Sequence, residues 1–233
     1  MLISGLQKTT LIDYPGRIAA TVFLAGCNFR CPFCHNPELV FPDQISQGIL
    51  KEKDFFVWLD GRQGKIEGIC ITGGEPTLQK DLILFLRKIK KRGYLIKLDT
   101  NGSRPDVLQQ AFQEKLLDFV AMDIKNSLEK YSLTVGVKVD IERIKLSMGL
   151  IRNSGVDYEF RTTVAPRLHT RQDLVAIGRW LKGSKKYVLQ KYDFQGKILS
   201  EKYRQTALKT KRRLDLEKAA ADLKKYFGKV EVR

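Results

Sequence analysis

The apolar positions of this chain fall into two alternating patterns. Short runs rich in β-branched and aromatic residues occupy positions 18–24, 66–72, 94–100, 119–125, 158–164 and 187–192, and each ends in polar residues or glycine. Between them the apolar residues recur at helical spacing. That alternation predicts about six βα units and a mostly parallel sheet, because parallel neighbours need a crossover helix between them. Leu82, Phe85, Leu86 and Ile89 fall at i, i+3, i+4 and i+7, one apolar stripe that Gly93 can end in a left-handed turn. Asp140 caps a second helix, with Ile141, Ile144, Met148 and Ile151 as its stripe and Gly155 as its stop. Thr170 and Asp173 make a capping box ahead of Leu174, Ile177 and Leu181, and Leu216, Ala220, Leu223 and Phe227 stripe the last helix. These stripes are core faces. In a parallel α/β fold chemistry gathers at the carboxyl ends of strands, where loops and helix N-termini converge.

At 233 residues and 43% hydrophobic, the chain can bury one continuous core, and no repeat, low-complexity tract or Pro/Gly/Ser-rich linker divides it. The opening MLISGLQKTTLIDYPG lacks the charged and apolar regions of an export signal, and the longest apolar stretch, residues 18–25, is far short of a bilayer span. We therefore expect a cytoplasmic protein without a membrane segment, whose cysteines stay reduced. The net charge is +16, and residues 182–233 supply much of it with 16 basic and 6 acidic side chains. Most such charge is solvated surface; the functional alternative is steering of an acidic protein partner. Tyr187, Tyr192, Phe194 and Tyr203 interleave with it, yet no RNA or DNA motif accompanies them, so nucleic-acid binding is not expected. Of the two histidines, His35 is either a solvated loop residue or a hydrogen-bond donor beside a metal centre, and His169 is expected at the surface. With no paired acids, a hydrolase reading has no catalytic set.

Directly after the first of these runs comes Cys27-x₃-Cys31-x₂-Cys34, three of the four cysteines in one loop. Such close thiolates suit zinc or an iron–sulfur cluster, and spacing alone does not choose. A zinc knuckle would add His35 or Cys70 to close the site. A four-iron cluster on three thiolates would instead leave one iron open to a small molecule. Cys70, inside a strand, reads as an inert core residue.

With the aromatic Phe33 before its last cysteine, this triplet resembles the signature of the radical S-adenosylmethionine (radical SAM) enzymes. The resemblance implies an α/β fold, a partial (β/α)6 TIM-like barrel over residues 1–195, with 196–233 as a basic C-terminal extension whose helix docks on the barrel. It implies one [4Fe-4S] cluster held by Cys27, Cys31 and Cys34, with SAM chelated to the open iron. In that family the reduced cluster splits SAM into methionine and a deoxyadenosyl radical, which takes hydrogen from the substrate; the protein need supply no acid or base. Gly73-Gly74-Glu75 resembles the segment that holds the SAM amino group, where glycines admit close backbone approach and Glu75 adds an acceptor.

Asp99-Thr100-Asn101 and the segment from Asp123 to Lys125 resemble, more narrowly, the glycyl-radical-enzyme activases. There the matching carboxylates and threonine lie near the SAM ribose and carboxylate, some of them in a monovalent-cation site, and the lysine pairs with the SAM carboxylate. Asp13 and Arg161, in segments also similar to the activases, are expected to contact the substrate peptide. The plain alternatives are helix caps, a solvated lysine and a surface ion pair. At the sixth strand the chain reads Val188-Leu189-Gln190-Lys191-Tyr192-Asp193-Phe194, where activases of the pyruvate formate-lyase type carry a histidine.

The departure favours the group that activates anaerobic ribonucleotide reductase. The implied function is abstraction of a glycine α-hydrogen from a partner enzyme, anaerobic ribonucleoside-triphosphate reductase first, pyruvate formate-lyase or another glycyl radical enzyme next. An acidic flavodoxin or ferredoxin would be the electron donor. The competing readings are a small-molecule radical SAM enzyme such as 7-carboxy-7-deazaguanine synthase and a zinc-stabilised nucleic-acid-binding module.

Overall fold

A computed structural model describes residues 1–45, 49–210 and 213–233, so Lys211 and Arg212 of the basic tail lie outside the described residues. The strands are β1 (Ile3–Thr10), β2 (Ala19–Leu24), β3 (Gly68–Gly73), β4 (Leu95–Thr100), β5 (Phe119–Asp123), β6 (Asp157–Val164), β7 (Ser184–Lys191) and β8 (Phe227–Val232). The helices are α1 (Glu52–Asp60), α2 (Leu82–Lys90), α3 (Pro105–Gln113), α4 (Tyr131–Val135), α5 (Ile141–Asn153), α6 (Arg171–Trp180), α7 (Glu201–Leu208) and α8 (Leu216–Leu223). The fold is α/β with mostly parallel pairing, and each strand expected from the sequence is present within a few residues of its expected bounds. No helix among the described residues is long and apolar enough to cross a membrane.

The chain forms two compact units: Met1–Asn28, Glu38–Ala121 and Glu142–Asp157 make the first, and Phe29–Pro37, Met122–Ile141 and Tyr158–Arg233 the second. In the first, β1 runs antiparallel to β2, while β2–β3 and β3–β4 are parallel, with Thr21 opposite Cys70 and Cys70 opposite Lys97. β2 and β3 are buried along almost their whole length, as strands covered on both faces should be. The α2 stripe is buried as the period requires, and Phe85 packs on Phe55 and Phe56 of α1 with ring centres 5.2 and 5.3 Å away. From α5, Ile144, Met148 and Ile151 enter the core.

In the second unit β6, β7 and β8 are parallel neighbours. Thr170 and Asp173 form the expected capping box, and Leu174 and Ile177 of α6 are buried behind it. The segment 196–233 belongs to this unit and supplies α7, α8 and an unexpected strand. Phe227 is not on the last helix: α8 ends at Leu223, a 3₁₀ turn follows over Lys224–Tyr226, and Phe227 opens β8, stacked on Tyr187 at 4.7 Å. Four residues after Leu223 fits a helical stripe, but Phe227, Val230 and Val232 offer more burial as a strand beside β7.

Candidate functional site

In the first unit the chain leaving β2 is pinned on both sides. Gly26 N donates to Leu39 O (2.7 Å), Cys27 N to Val40 O (3.2 Å) and Gln79 Nε2 to Ala25 O (2.7 Å). The end of β3 is welded to this stretch. A Cβ on Gly73 would stand 2.3 Å from Leu24 O, and one on Gly74 2.1 Å from Gly26 O. Glycine is therefore demanded here by the chain's own backbone, before any ligand is considered. The close approach lets Gly74 N donate to Leu24 O (2.8 Å) and Glu75 N to Gly26 O (2.7 Å).

Glu75 is 1% exposed. Its Oε1 accepts from Thr77 N (3.1 Å), Thr77 Oγ1 (2.5 Å) and Thr100 Oγ1 (2.8 Å), and its Oε2 from Asn101 N (2.6 Å). Burial pushes the Glu75 carboxyl above its ordinary value, opposed by these hydrogen bonds to the charged form. Thr100 Oγ1 also accepts from Gly102 N (3.1 Å), and Asn101 Nδ2 reaches Asn28 Oδ1 (2.9 Å) on the cysteine loop. The ends of β3 and β4 are thus tied to one another and to the residue after Cys27.

Asp99, at the end of β4, is ion-paired with Lys97, and Thr72 Oγ1 lies 3.5 Å from its other oxygen. Lys97 is buried, with Nζ 3.6 Å from Cys70 Sγ. It was not an expected site residue, although period-two alternation puts positions 97 and 99 on one face. Cys70 is in the core as expected. Asp13 accepts from Thr21 Oγ1 (2.6 Å) and follows the exposed Leu11 and Ile12.

The second unit carries the rest of the cysteine loop. Cys34 N donates to Cys31 O (3.0 Å), and the turn is clamped by Leu199 N on Cys34 O (3.1 Å) and Ser200 N on Pro32 O (3.0 Å). Phe33 is buried against His169 and Tyr203, with ring centres 6.4 and 6.5 Å away. Burial pushes the Cys31 thiol up to about 11, while the Lys125 ammonium draws it down.

At the end of β5, Asp123 accepts from Lys125 Nζ and from Arg161 Nε, each at 2.9 Å. Burial works against charge on Asp123, but Arg161 and then Lys125 hold the carboxyl well below its usual range. Burial likewise opposes the Lys125 ammonium, which Asp123 and the Cys31 sulfur hold well above its usual value. Arg161 therefore has a carboxylate partner at the strand ends, quite apart from any substrate peptide.

His169 is a correction: it is 4% exposed, not at the surface. Ala165 N donates to its Nδ1 (3.1 Å), which assigns the ring proton to Nε2, 2.8 Å from Lys125 O. Burial lowers its affinity for a second proton. The signal was present in the capping box, since the residue before an N-cap commonly packs inward.

Residues 21–181, a span that holds all three loop cysteines and most of the chain, match the radical SAM superfamily. The chain belongs to the radical SAM superfamily. Membership sets aside the zinc-stabilised nucleic-acid-binding module. Among relatives of this radical SAM protein is a Methanocaldococcus jannaschii protein named "Putative glycyl-radical enzyme activating enzyme", 34% identical over 242 residues that span 100% of this chain and 95% of the relative. The pyruvate formate-lyase-activating enzyme of Streptococcus mutans is 28% identical over 78% of this chain and 72% of its own length. The crystal structure of Streptococcus suis SuiB superposes with a TM-score of 0.63 over 91% of this chain at 13% identity, a likeness of fold. The chain spans about half, 48%, of that solved structure.

Proposed function

We propose that this radical SAM protein is an activase that takes the α-hydrogen of a glycine in a partner enzyme and leaves a glycyl radical there. The partner in this reading is anaerobic ribonucleoside-triphosphate reductase, supported by Val188–Phe194, where the histidine of pyruvate formate-lyase activases is replaced. Pyruvate formate-lyase or another glycyl radical enzyme is the alternative, and the deazaguanine-type small-molecule reading is less well supported than kinship with an activase along the full chain.

The observation that carries the proposal is the Lys125 ammonium, held 2.9 Å from the Asp123 carboxylate just past the end of β5, in the compact unit that also contains Cys31 and Cys34. A cation there suits a ligand that presents a carboxylate beside the cysteine loop. The donor set fits a cluster. Among the described residues, no group of three or more His, Cys, Asp or Glu side chains surrounds a single metal-ion position. A cluster has no need of that, because each thiolate takes its own iron. Bound there, a [4Fe-4S] cluster and SAM supply the electron and the hydrogen-abstracting fragment.

Cys27, Cys31 and Cys34 hold the cluster, while the fourth thiol, Cys70, stays in the core beside Lys97. Phe33 covers the loop from its packing against His169 and Tyr203. Gly73, Gly74 and Glu75 present the amino-group contacts, with Glu75 acting through Oε2, the less occupied of its oxygens. Asp99, Thr100 and Asn101 line the ribose side, and Lys125, oriented by Asp123, takes the SAM carboxylate. Asp13, beside the exposed Leu11 and Ile12, meets the substrate peptide, and Arg161 assists through Asp123. The basic segment 182–233 steers an acidic flavodoxin or ferredoxin in the cytoplasm.

The test is anaerobic reconstitution followed by SAM, reductant and each candidate partner, read by 5′-deoxyadenosine and by electron paramagnetic resonance. A partner-centred organic radical supports the reading. Deoxyadenosine without a partner radical rejects the target, and protein that takes up neither iron nor sulfide rejects the chemistry.

A further inference from the structure

The activase resemblance implies a monovalent cation shared by strand-end carboxylates and a threonine. The residues present do not fit that ion. Asp99 is already ion-paired with Lys97, whose side chain is 2% exposed against 14% for Asp99. Thr100 Oγ1 is turned to Glu75 and Gly102 N. In the second unit Asp123 is bound by Lys125 and Arg161. Each carboxylate of the expected set therefore has a cation supplied by the chain itself.

Lys97 is an unusual residue for its place. It sits opposite Cys70 in the parallel β3–β4 register, on strands whose other faces are filled by Ile69, Ile71, Ile96 and Leu98, all fully buried. An ammonium in such surroundings is tolerated only when a close anion offsets its lost hydration. Asp99, two residues on and on the same face, is that anion. A compact, singly charged ammonium on a carboxylate oxygen has the charge, and nearly the coordination role, of a bound potassium or sodium ion.

We propose that Lys97 is a tethered replacement for the monovalent cation at Asp99, so that this chain takes up no sodium or potassium there. The idea that Asp99 borders the cofactor rests on the proposed function; the pairing itself does not. Lys97 is thus a positioning residue, neutralising Asp99 and fixing its orientation at the end of β4.

The test uses the full chain without added cofactor, at constant ionic strength in sodium, potassium or choline chloride. For the wild type the thermal midpoint should be the same in all three salts, and ²³Na resonance broadening should show no saturable site. Lys97→Ala leaves Asp99 with room for an ion. Its midpoint should drop on the order of 10 °C in choline and recover at least half of that in sodium or potassium. Lys97→Met, which fills the same volume without charge, should drop and not recover.

A saturable sodium site in the wild type that disappears in Asp99→Asn would overturn the proposal whether or not the lysine variants fold. So would a folded Lys97→Ala that is indifferent to the salt. Failure to load iron would count against the proposed function and leave these readings unchanged.

Discussion

Gly74→Ala is the sharpest probe of how the site is assembled. The added methyl would meet Gly26 O at 2.1 Å, Gly26 C at 2.6 Å and Leu39 O at 3.0 Å, all of them backbone atoms that cannot rotate away. Relief requires the ends of β2 and β3 to separate, which breaks the 2.7 Å bond from Glu75 N to Gly26 O. Forcing a methyl into a packed region costs about 1–3 kcal/mol, and leaving a buried donor unpaired costs a similar amount. The sum is about 4 kcal/mol, or roughly 8–16 °C in thermal midpoint for a chain of this size.

Gly93→Ala is the control. Its methyl would meet nothing within 4 Å, but its φ of +80° is strained for any other residue, so about 1 kcal/mol and roughly 2–4 °C are expected. Thermal unfolding followed by circular dichroism compares the two, with iron content after reconstitution as a second readout, since Gly26 immediately precedes Cys27. A Gly74→Ala midpoint within about 2 °C of wild type, or a smaller loss than in Gly93→Ala, would refute the reasoning.

Replacing any one of Cys27, Cys31 or Cys34 by alanine should abolish SAM cleavage, whereas Cys70→Ala should keep its iron and lose only stability; normal turnover in a loop variant rejects the ligand assignment. Lys125→Met removes a charge-assisted contact and should weaken SAM binding about 10–100-fold, from roughly 1.5–3 kcal/mol, in calorimetric titration of reconstituted protein; unchanged affinity removes Lys125 from the site. His169 holds off its second proton in the folded state, so on acidification the unfolded chain takes up that proton first, near the ordinary value of 6.5, and stability falls from there downward. His169→Gln should flatten that slope between about pH 7 and 5 in urea unfolding, and an unaltered slope would show that another group produces it. Asp123, depressed instead, contributes stability above the ordinary carboxylate value of 3.8, lost only at still lower pH, so the two effects separate.

The strands and helices that were legible in the sequence are the ones covered on two sides. β2, β3 and β4 read as apolar runs because parallel strands bury both faces. β1 and β8 did not. Their sequences, ISGLQKTT and FGKVEV, mix polar residues into half-exposed strands, and neither keeps a continuous apolar run or a clean alternation. Phe227 then satisfied a helical stripe equally well by spacing alone. Lys97 and His169 depart from expectation for a different reason: residue type sets their ordinary exposure and outweighs the weaker positional signals of alternation and capping, and only a specific partner, Asp99 or the Lys125 carbonyl, makes burial tolerable.

The strand-end motifs were legible as a set, and their physical work is broader than the contacts first read from them. Gly73 and Gly74 permit close approach, but to Leu24 and Gly26. Glu75 is an acceptor, but most of its capacity is used on Thr77, Thr100 and Asn101. Asn101 then reaches Asn28, next to the first loop cysteine. A site assembled in this way needs little rearrangement when it is filled, because its hydrogen bonds are formed by folding and not by binding. The same network explains why these residue types stand together: a glycine that joins two strand ends and a glycine that faces a cofactor obey one steric rule. The single sequence therefore places these glycines and Glu75 at a strand end while leaving open which of the two partners makes them necessary.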